Sequence, residues 1–266
     1  MKAALPRGVR RLGYEGSVPA SRYRSLQKAF RRAELVDVAE DVLALRAVKT
    51  LPEMAKIMRA VALNDEIWSL ARKEMRPGMT EKDIQRIIRG FMNALGDGEA
   101  FETIVCAGAN AAECHHVPDD TVWRRGEPLL VDMGVKLDGV CSDMTRCVRG
   151  RGVEYREVYS IVLEANRAAI AAARPGMTCG ALDKVARDII RKAGYGKAFG
   201  HSLGHGVGYE IHEEPTARAK SKTVLEPGMF VTIEPGIYLE GKLGVRIEDL
   251  VLITPDGCEV VTRSPK

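Results

Sequence analysis

The sequence predicts an α+β protein built from two pseudo-symmetric halves around a curved antiparallel sheet, with helices outside. Three observations predict it. Arg76-Pro77-Gly78-Met79-Thr80 recurs 98 residues later as Arg174-Pro175-Gly176-Met177-Thr178, and an identical pentapeptide marks an internal duplication. Each copy separates two stretches of helical periodicity. Each helix pair is then followed by apolar runs of strand character, in residues 129–149 and 228–253.

The elements follow in order. Thr50 and Glu53 have the spacing of a capping box, and apolar residues follow at Met54, Ile57, Met58, Val61 and Trp68. Pro77 and Gly78 end that helix, and Thr80 is placed to cap the next, whose apolar face is Ile84, Ile87, Ile88, Phe91 and Leu95. The second copy lies between Val158, Ile161, Val162, Ala165 and Leu182, Val185, Ala186, Ile189, Ile190, again at helix spacing. The strands after each pair form a hairpin or meander. Pairing two such units leaves the seam between halves as the natural cleft.

At 266 residues and 45% hydrophobic, the chain can bury one large core or two modest ones. It has no apolar run of about 18 residues, and Met1–Arg11 is basic and broken by Pro6 and Gly8 rather than followed by a signal core. The expectation is a cytoplasmic protein with no membrane partner. Six cysteines (Cys106, Cys114, Cys141, Cys147, Cys179, Cys258) make no CxxC pair and read as reduced thiols. The net charge of +4 is uneven: residues 1–34 carry +7 and the remainder −3. That basic stretch has few interleaved aromatics and reads as a solvated surface, so no nucleic-acid partner is expected. Neither GxGxxG after a strand nor GxxxxGK occurs, which leaves nucleotide chemistry without support.

Carboxylates interrupt the apolar strands. Asp132 sits in Leu129-Leu130-Val131-Asp132-Met133, where an unpaired ionised group would cost several kcal/mol. Asp143 follows in Ser142-Asp143-Met144-Thr145-Arg146, and for this hairpin alone Arg146 is an alternative counter-charge. The second hairpin repeats the anomaly with Glu234, at the end of Phe230-Val231-Thr232-Ile233, and Glu248, in Arg246-Ile247-Glu248-Asp249. Four acids in one apolar seam call for cations, and a carboxylate-bridged divalent pair is the economical answer. All five histidines fall in two segments, His115 with His116, and His201, His205 and His212. His205 lies between glycines in Gly204-His205-Gly206, where backbone can approach closely and leave the imidazole free for a metal.

Val131-Asp132-Met133-Gly134, Ser142-Asp143-Met144-Thr145-Arg146, Gly204-His205-Gly206-Val207-Gly208, His212-Glu213-Glu214-Pro215, Glu234-Pro235-Gly236-Ile237-Tyr238 and Gly244-Val245-Arg246-Ile247-Glu248-Asp249 resemble the motifs of the M24 "pita-bread" metallopeptidases. The resemblance covers residues 46–260 and is to the Xaa-Pro branch, prolidase and aminopeptidase P. It implies two divalent metal ions per chain, manganese or cobalt before iron or zinc. Asp132, Asp143 and Glu248 would hold one ion, and Asp143, His205, Glu234 and Glu248 the other. A metal-bridging hydroxide would then cleave Xaa-Pro bonds in dipeptides or at peptide N-termini, with Glu234 taking its proton. His115 and His212 would assist as catalytic histidines, and His201 and Arg246 would line the substrate pocket. His116 stays open as a substitute for His115, because Cys114 stands where the family has proline. By the same resemblance residues 1–45 are a remnant of the family's N-terminal domain, its last strand, helix and strand, and 46–266 the catalytic domain. That leaves a homodimer open, along with two other readings: a methionine or other aminopeptidase of this fold, and a catalytically silent binding module.

Overall fold

The computed structural model describes residues 8–266, so Met1–Arg7 of the basic stretch lie outside the described residues. The chain divides into two compact units, one up to Arg46 and one from Ala47 to Lys266. In the first, β1 (Arg11–Tyr14) and β2 (Glu34–Asp37) pair in parallel through the crossover helix α1 (Ala20–Ala29). Asp37 Oδ1 accepts from Gly16 N and Ala39 N, both at 3.0 Å, and so ties the turn after β1 to the start of α2 (Ala39–Ala47).

The second unit is the duplicated one. Its first half runs α3 (Leu51–Glu74), α4 (Glu81–Leu95), β3 (Ile104–Ala107), β4 (Leu129–Met133), β5 (Lys136–Leu137), β6 (Val140–Cys141) and β7 (Met144–Val148). The second half runs α5 (Val153–Ala172), α6 (Cys179–Lys192), β8 (Gly204–Gly206), β9 (Glu213–Ala217), β10 (Phe230–Ile233), β11 (Gly236–Leu239), β12 (Leu243–Arg246), β13 (Asp249–Thr254) and β14 (Gly257–Val260). The caps form as the sequence implies: the Glu53 carboxylate accepts from Thr50 N at 2.8 Å, Thr80 and Asp83 cap each other, and Thr178 Oγ1 accepts from Ala181 N at 3.2 Å.

In each half a long antiparallel pair, β4–β7 or β10–β13, encloses a short one, β5–β6 or β11–β12. The long pairs sit in sheets of order β3-β4-β7 and β14-β13-β10-β8-β9. Glu248 N donates to Thr145 O at 3.3 Å across the seam between them. The helices bury their apolar faces against these sheets. Ile67, Ile84, Ile88 and Met92 pack on Val105, Leu129, Val131 and Met133 in the first half. Val158, Val162, Leu182 and Ile190 pack on Val231, Ile233, Val245 and Val251 in the second. A third cluster, Ile57 and Val61 with Val140, Cys141, Phe230 and Leu250, spans both halves, so α3 clamps the seam. No helix among the described residues is long and apolar enough to cross a membrane.

Candidate metal centre

The two hairpins deliver their acids at matched places. Asp132 lies in β4, opposite Thr145 of β7, and Glu234 directly follows β10; Asp143 directly precedes β7, and Glu248 directly precedes β13. Each half also supplies a threonine beneath an acid. Thr145 Oγ1 donates to Glu248 Oε2 at 2.8 Å, and Thr232 Oγ1 donates to Glu234 Oε1 at 3.0 Å. Each threonine oxygen accepts in turn, from Arg246 Nε or from His205 N, both at 2.9 Å. Both hydroxyls are thereby fixed as donors toward the carboxylates.

His205 enters from β8, and its flanking glycines have a steric cause. A Cβ on Gly204 would lie 1.8 Å from Thr232 O, and one on Gly206 would lie 2.3 Å from Glu214 O. The backbone therefore presses between β10 and β9 and carries the imidazole into the cleft. His205 Nε2 lies 3.5 Å from Asp143 Oδ2 and 3.4 Å from Glu234 Oε1. Its Nδ1 lies 3.0 Å from Gly206 O, which assigns the proton to Nδ1 and leaves the Nε2 lone pair facing the acids. One ligand atom each from Asp143, His205 and Glu248 lies within 4.8 Å of the others.

Burial and mutual repulsion dominate the electrostatics of the acids. Burial, then repulsion from Glu248, Asp132 and Glu234, holds the Asp143 carboxyl well above its usual range. Glu248 is raised in the same direction by burial and by Glu234 and Asp132. Burial pushes Glu234 up to about 8, although Arg246 opposes it. Asp143 is 4% exposed and Glu248 1%, so water cannot solvate them. Asp132 Oδ1 is buried with no hydrogen-bond partner. An orphaned carboxylate oxygen, three acids that resist ionising together and an imidazole lone pair aimed at them fit divalent cations.

Around this cluster runs a chain of hydrogen bonds. His201 Nε2 lies 2.8 Å from Tyr238 Oη, Arg246 Nη1 donates to Tyr238 Oη at 2.8 Å, and Arg246 Nη2 donates to Asp132 Oδ2 at 2.7 Å. Arg246 also donates to Thr145 Oγ1 and Cys114 O, so its guanidinium sets Asp132 rather than lying open in the pocket. His212 stands edge-on to His205, with ring centroids 4.4 Å apart. Burial lowers the pKa of His212, and lowers that of His201 to about 4. His115 is exposed, in the segment between Cys114, whose carbonyl Arg246 reaches, and the buried His116. His116 is buried and turns away, its Nε2 2.7 Å from Glu81 Oε2.

The counter-charge considered for Asp132 and Asp143, Arg146, goes elsewhere. It donates to Asp249 Oδ1 at 2.9 Å, to Glu248 O and to Ser264 O. Strand alternation is the reason: Asp143 and Thr145 share one face and Arg146 takes the other. Arg246, on β12, is the arginine that meets Asp132. Sequence reasoning missed two asparagines, Asn64 on α3 and Asn166 on α5. Asn64 Nδ2 donates to Met133 O at 3.1 Å, and Asn166 Nδ2 to Ile233 O at 2.9 Å and Ile247 O at 3.3 Å, each carbonyl adjoining an acid of the cluster. Their signal was present: an amide on an otherwise apolar helix face. A second group, Glu81, His116 and Asp119, also offers ligand atoms within 4.8 Å of one another.

The sequence profile of metallopeptidase family M24 matches residues 55–255. An uncharacterized peptidase of Bacillus subtilis, YqhT, is 38% identical over 263 residues, which is 97% of this chain and 74% of that protein. The Xaa-Pro dipeptidase of Pyrococcus furiosus is 38% identical over 258 residues, 96% of this chain and 74% of that one. Among solved structures, an X-Pro aminopeptidase from Thermotoga maritima superposes with a TM-score of 0.91 at 38% identity, covering 96% of this chain and 74% of that chain.

Proposed function

The chain belongs to metallopeptidase family M24 and has its pita-bread fold, and from that membership we propose that it hydrolyses Xaa-Pro bonds, in dipeptides or at peptide N-termini. Peptides are the substrates of the family and divalent ions its cofactors. The observation that carries the finer reading is the buried cluster of Asp132, Asp143, Glu234, Glu248 and His205, with the orphaned Asp132 oxygen inside it.

In this reading Asp132, Asp143, His205, Glu234 and Glu248 would hold two divalent ions. When bound, the ions supply an acidified water and a polarised scissile carbonyl. The oxygen-rich donor set suits manganese, cobalt or iron and admits zinc. Glu234, which bound cations would hold ionised, would accept the nucleophile's proton. His212, whose pKa burial lowers, and the exposed His115 would donate N–H hydrogen bonds to the developing oxyanion, and the proton taken up by Glu234 would pass to the leaving proline nitrogen. The His201–Tyr238–Arg246 chain orients Asp132 and forms the wall beside it. Six free thiols among the described residues support a reducing, cytosolic setting.

Metal analysis joined to rate measurements tests the proposal. Under saturating Mn²⁺ we expect about two ions per chain and faster cleavage of Met-Pro and Gly-Pro than of Met-Ala-Ser. Negligible cleavage of both proline substrates would sink the Xaa-Pro assignment, and fewer than two ions the dinuclear one.

A further inference from the structure

The loop bearing His115 is anchored by a residue that its counterpart in the second half lacks. Thr80 bridges Val122 and Thr178 bridges Val224, so the two copies of the turn make equivalent single-residue bridges. After the threonine, however, the first copy has Glu81 and the second Cys179. Glu81 is fully buried. Its Oε1 accepts from Ala107 N at 2.7 Å and from Asn110 Nδ2 at 3.0 Å. Its Oε2 accepts from Asp119 N at 3.0 Å and lies 2.7 Å from His116 Nε2. These four groups span residues 107–119 from end to end.

The opposite side of the same loop is also held. Arg246 Nη1 donates to Cys114 O at 3.3 Å. Ala111 O occupies the space where a Cβ on Gly244 would come within 1.7 Å, so β12 and the 3-10 turn Gly108–Ala112 are pressed together. Cys114 and His116 are thus drawn toward different anchors, and the exposed His115 between them is held from both sides.

We propose that Glu81, acting through His116 and the backbone of residues 107–119, is a positioning residue that aims His115 at the scissile region. With four donors on one carboxylate, its lone pairs are filled, and the Glu81–His116–Asp119 group is a hydrogen-bonded anchor rather than an ion site. The inference rests on the peptidase reading, in which His115 touches substrate.

Kinetics of Glu81→Gln, His115→Ala and the double variant, with Mn²⁺ saturating and the best-cleaved Xaa-Pro dipeptide, test it. Glu81→Gln keeps the volume but presents an amide donor to groups that already donate. We expect kcat to fall about 10- to 100-fold with KM within about twofold, as for a displaced catalytic group. His115→Ala lowers kcat by about 10²-fold or more, and the double variant matches it within about threefold, because the two changes remove one interaction. Multiplying effects, or an unchanged kcat in Glu81→Gln, overturn the proposal. Should Glu81→Gln fail to fold, His116→Leu removes that donor while Glu81 keeps its three others, and the same non-additivity with His115→Ala is expected. Should the wild type cleave no proline peptide, the substrate reading fails by itself. The inference is then decided on the zinc-loaded protein by histidine-ring NMR: Glu81→Gln broadens or splits the His115 ring signals and leaves those of His201 in place, whereas unchanged His115 signals overturn it.

Discussion

Asp132 and Glu234 were legible because each puts a charge into an apolar strand, an anomaly that needs no partner sequence to see. Which arginine answers Asp132 was less legible: Arg146 is nearer in sequence, but its parity along β7 sends it to Asp249, and Arg246 reaches Asp132 from the other hairpin. At this scale the sharpest test is Asp143→Ala. We expect loss of one bound ion, measured by metal analysis, and a fall in kcat of at least about 10³-fold, because the carboxylate lies at the centre of the proposed pair. Arg246→Lys probes the fork. One ammonium cannot serve Thr145, Tyr238, Cys114 and Asp132 together, so we expect at least about tenfold lower kcat/KM with the circular dichroism spectrum retained.

At the scale of elements, the four helices of the duplicated unit could be read from periodicity, and three of their caps from Thr50, Thr80 and Thr178, since those signals are local. The short pairs β5–β6 and β11–β12 could not, because their pairing is decided by the cleft they border rather than by a pattern of their own. Asn64 and Asn166 were hidden for a similar reason: an amide on a helix face has meaning only once the carbonyl it meets is known. Replacing Asn166 by Leu strips the donor from Ile233 O and Ile247 O. We expect a cost of about 1–3 kcal/mol from those unsatisfied carbonyls, read as a lower denaturant midpoint, with weaker metal binding because both carbonyls adjoin acids of the proposed site. Gly204→Ala is harsher. Its Cβ would meet backbone at 1.8 Å, so β8 must separate from β10, and soluble yield together with metal content should collapse.

At the scale of the molecule, the duplicated plan was readable from one repeated pentapeptide, whereas the ties between distant segments were not. Lys49 and Glu213 form an ion pair at 2.7 Å with side chains only 4% and 2% exposed, joining the start of α3 to the residue after His212. Lys49→Met leaves a buried carboxylate without this partner and should cost about 3–5 kcal/mol, measured by urea unfolding. The metal-free protein should also show a characteristic pH response. Glu234 is raised from 4.5 to about 8, with Asp143 and Glu248 raised beside it, so these groups stabilise the fold at low pH and lose that contribution as pH rises. His201, lowered from 6.5 to about 4, works in the opposite sense, and its contribution is complete above 6.5. Between pH 6.5 and 8 the contribution of His201 is complete while that of Glu234 is being lost, so the Tm of chelated protein should fall as pH rises through that window. Added Mn²⁺ should flatten the trend.

The division of the four acids between two hairpins has a consequence in the cell. Asp132 and Asp143 leave the ribosome more than a hundred residues ahead of Glu248, so the proposed site would gain its last carboxylate only when nearly the whole chain has been made, and its loading would belong to the finished chain.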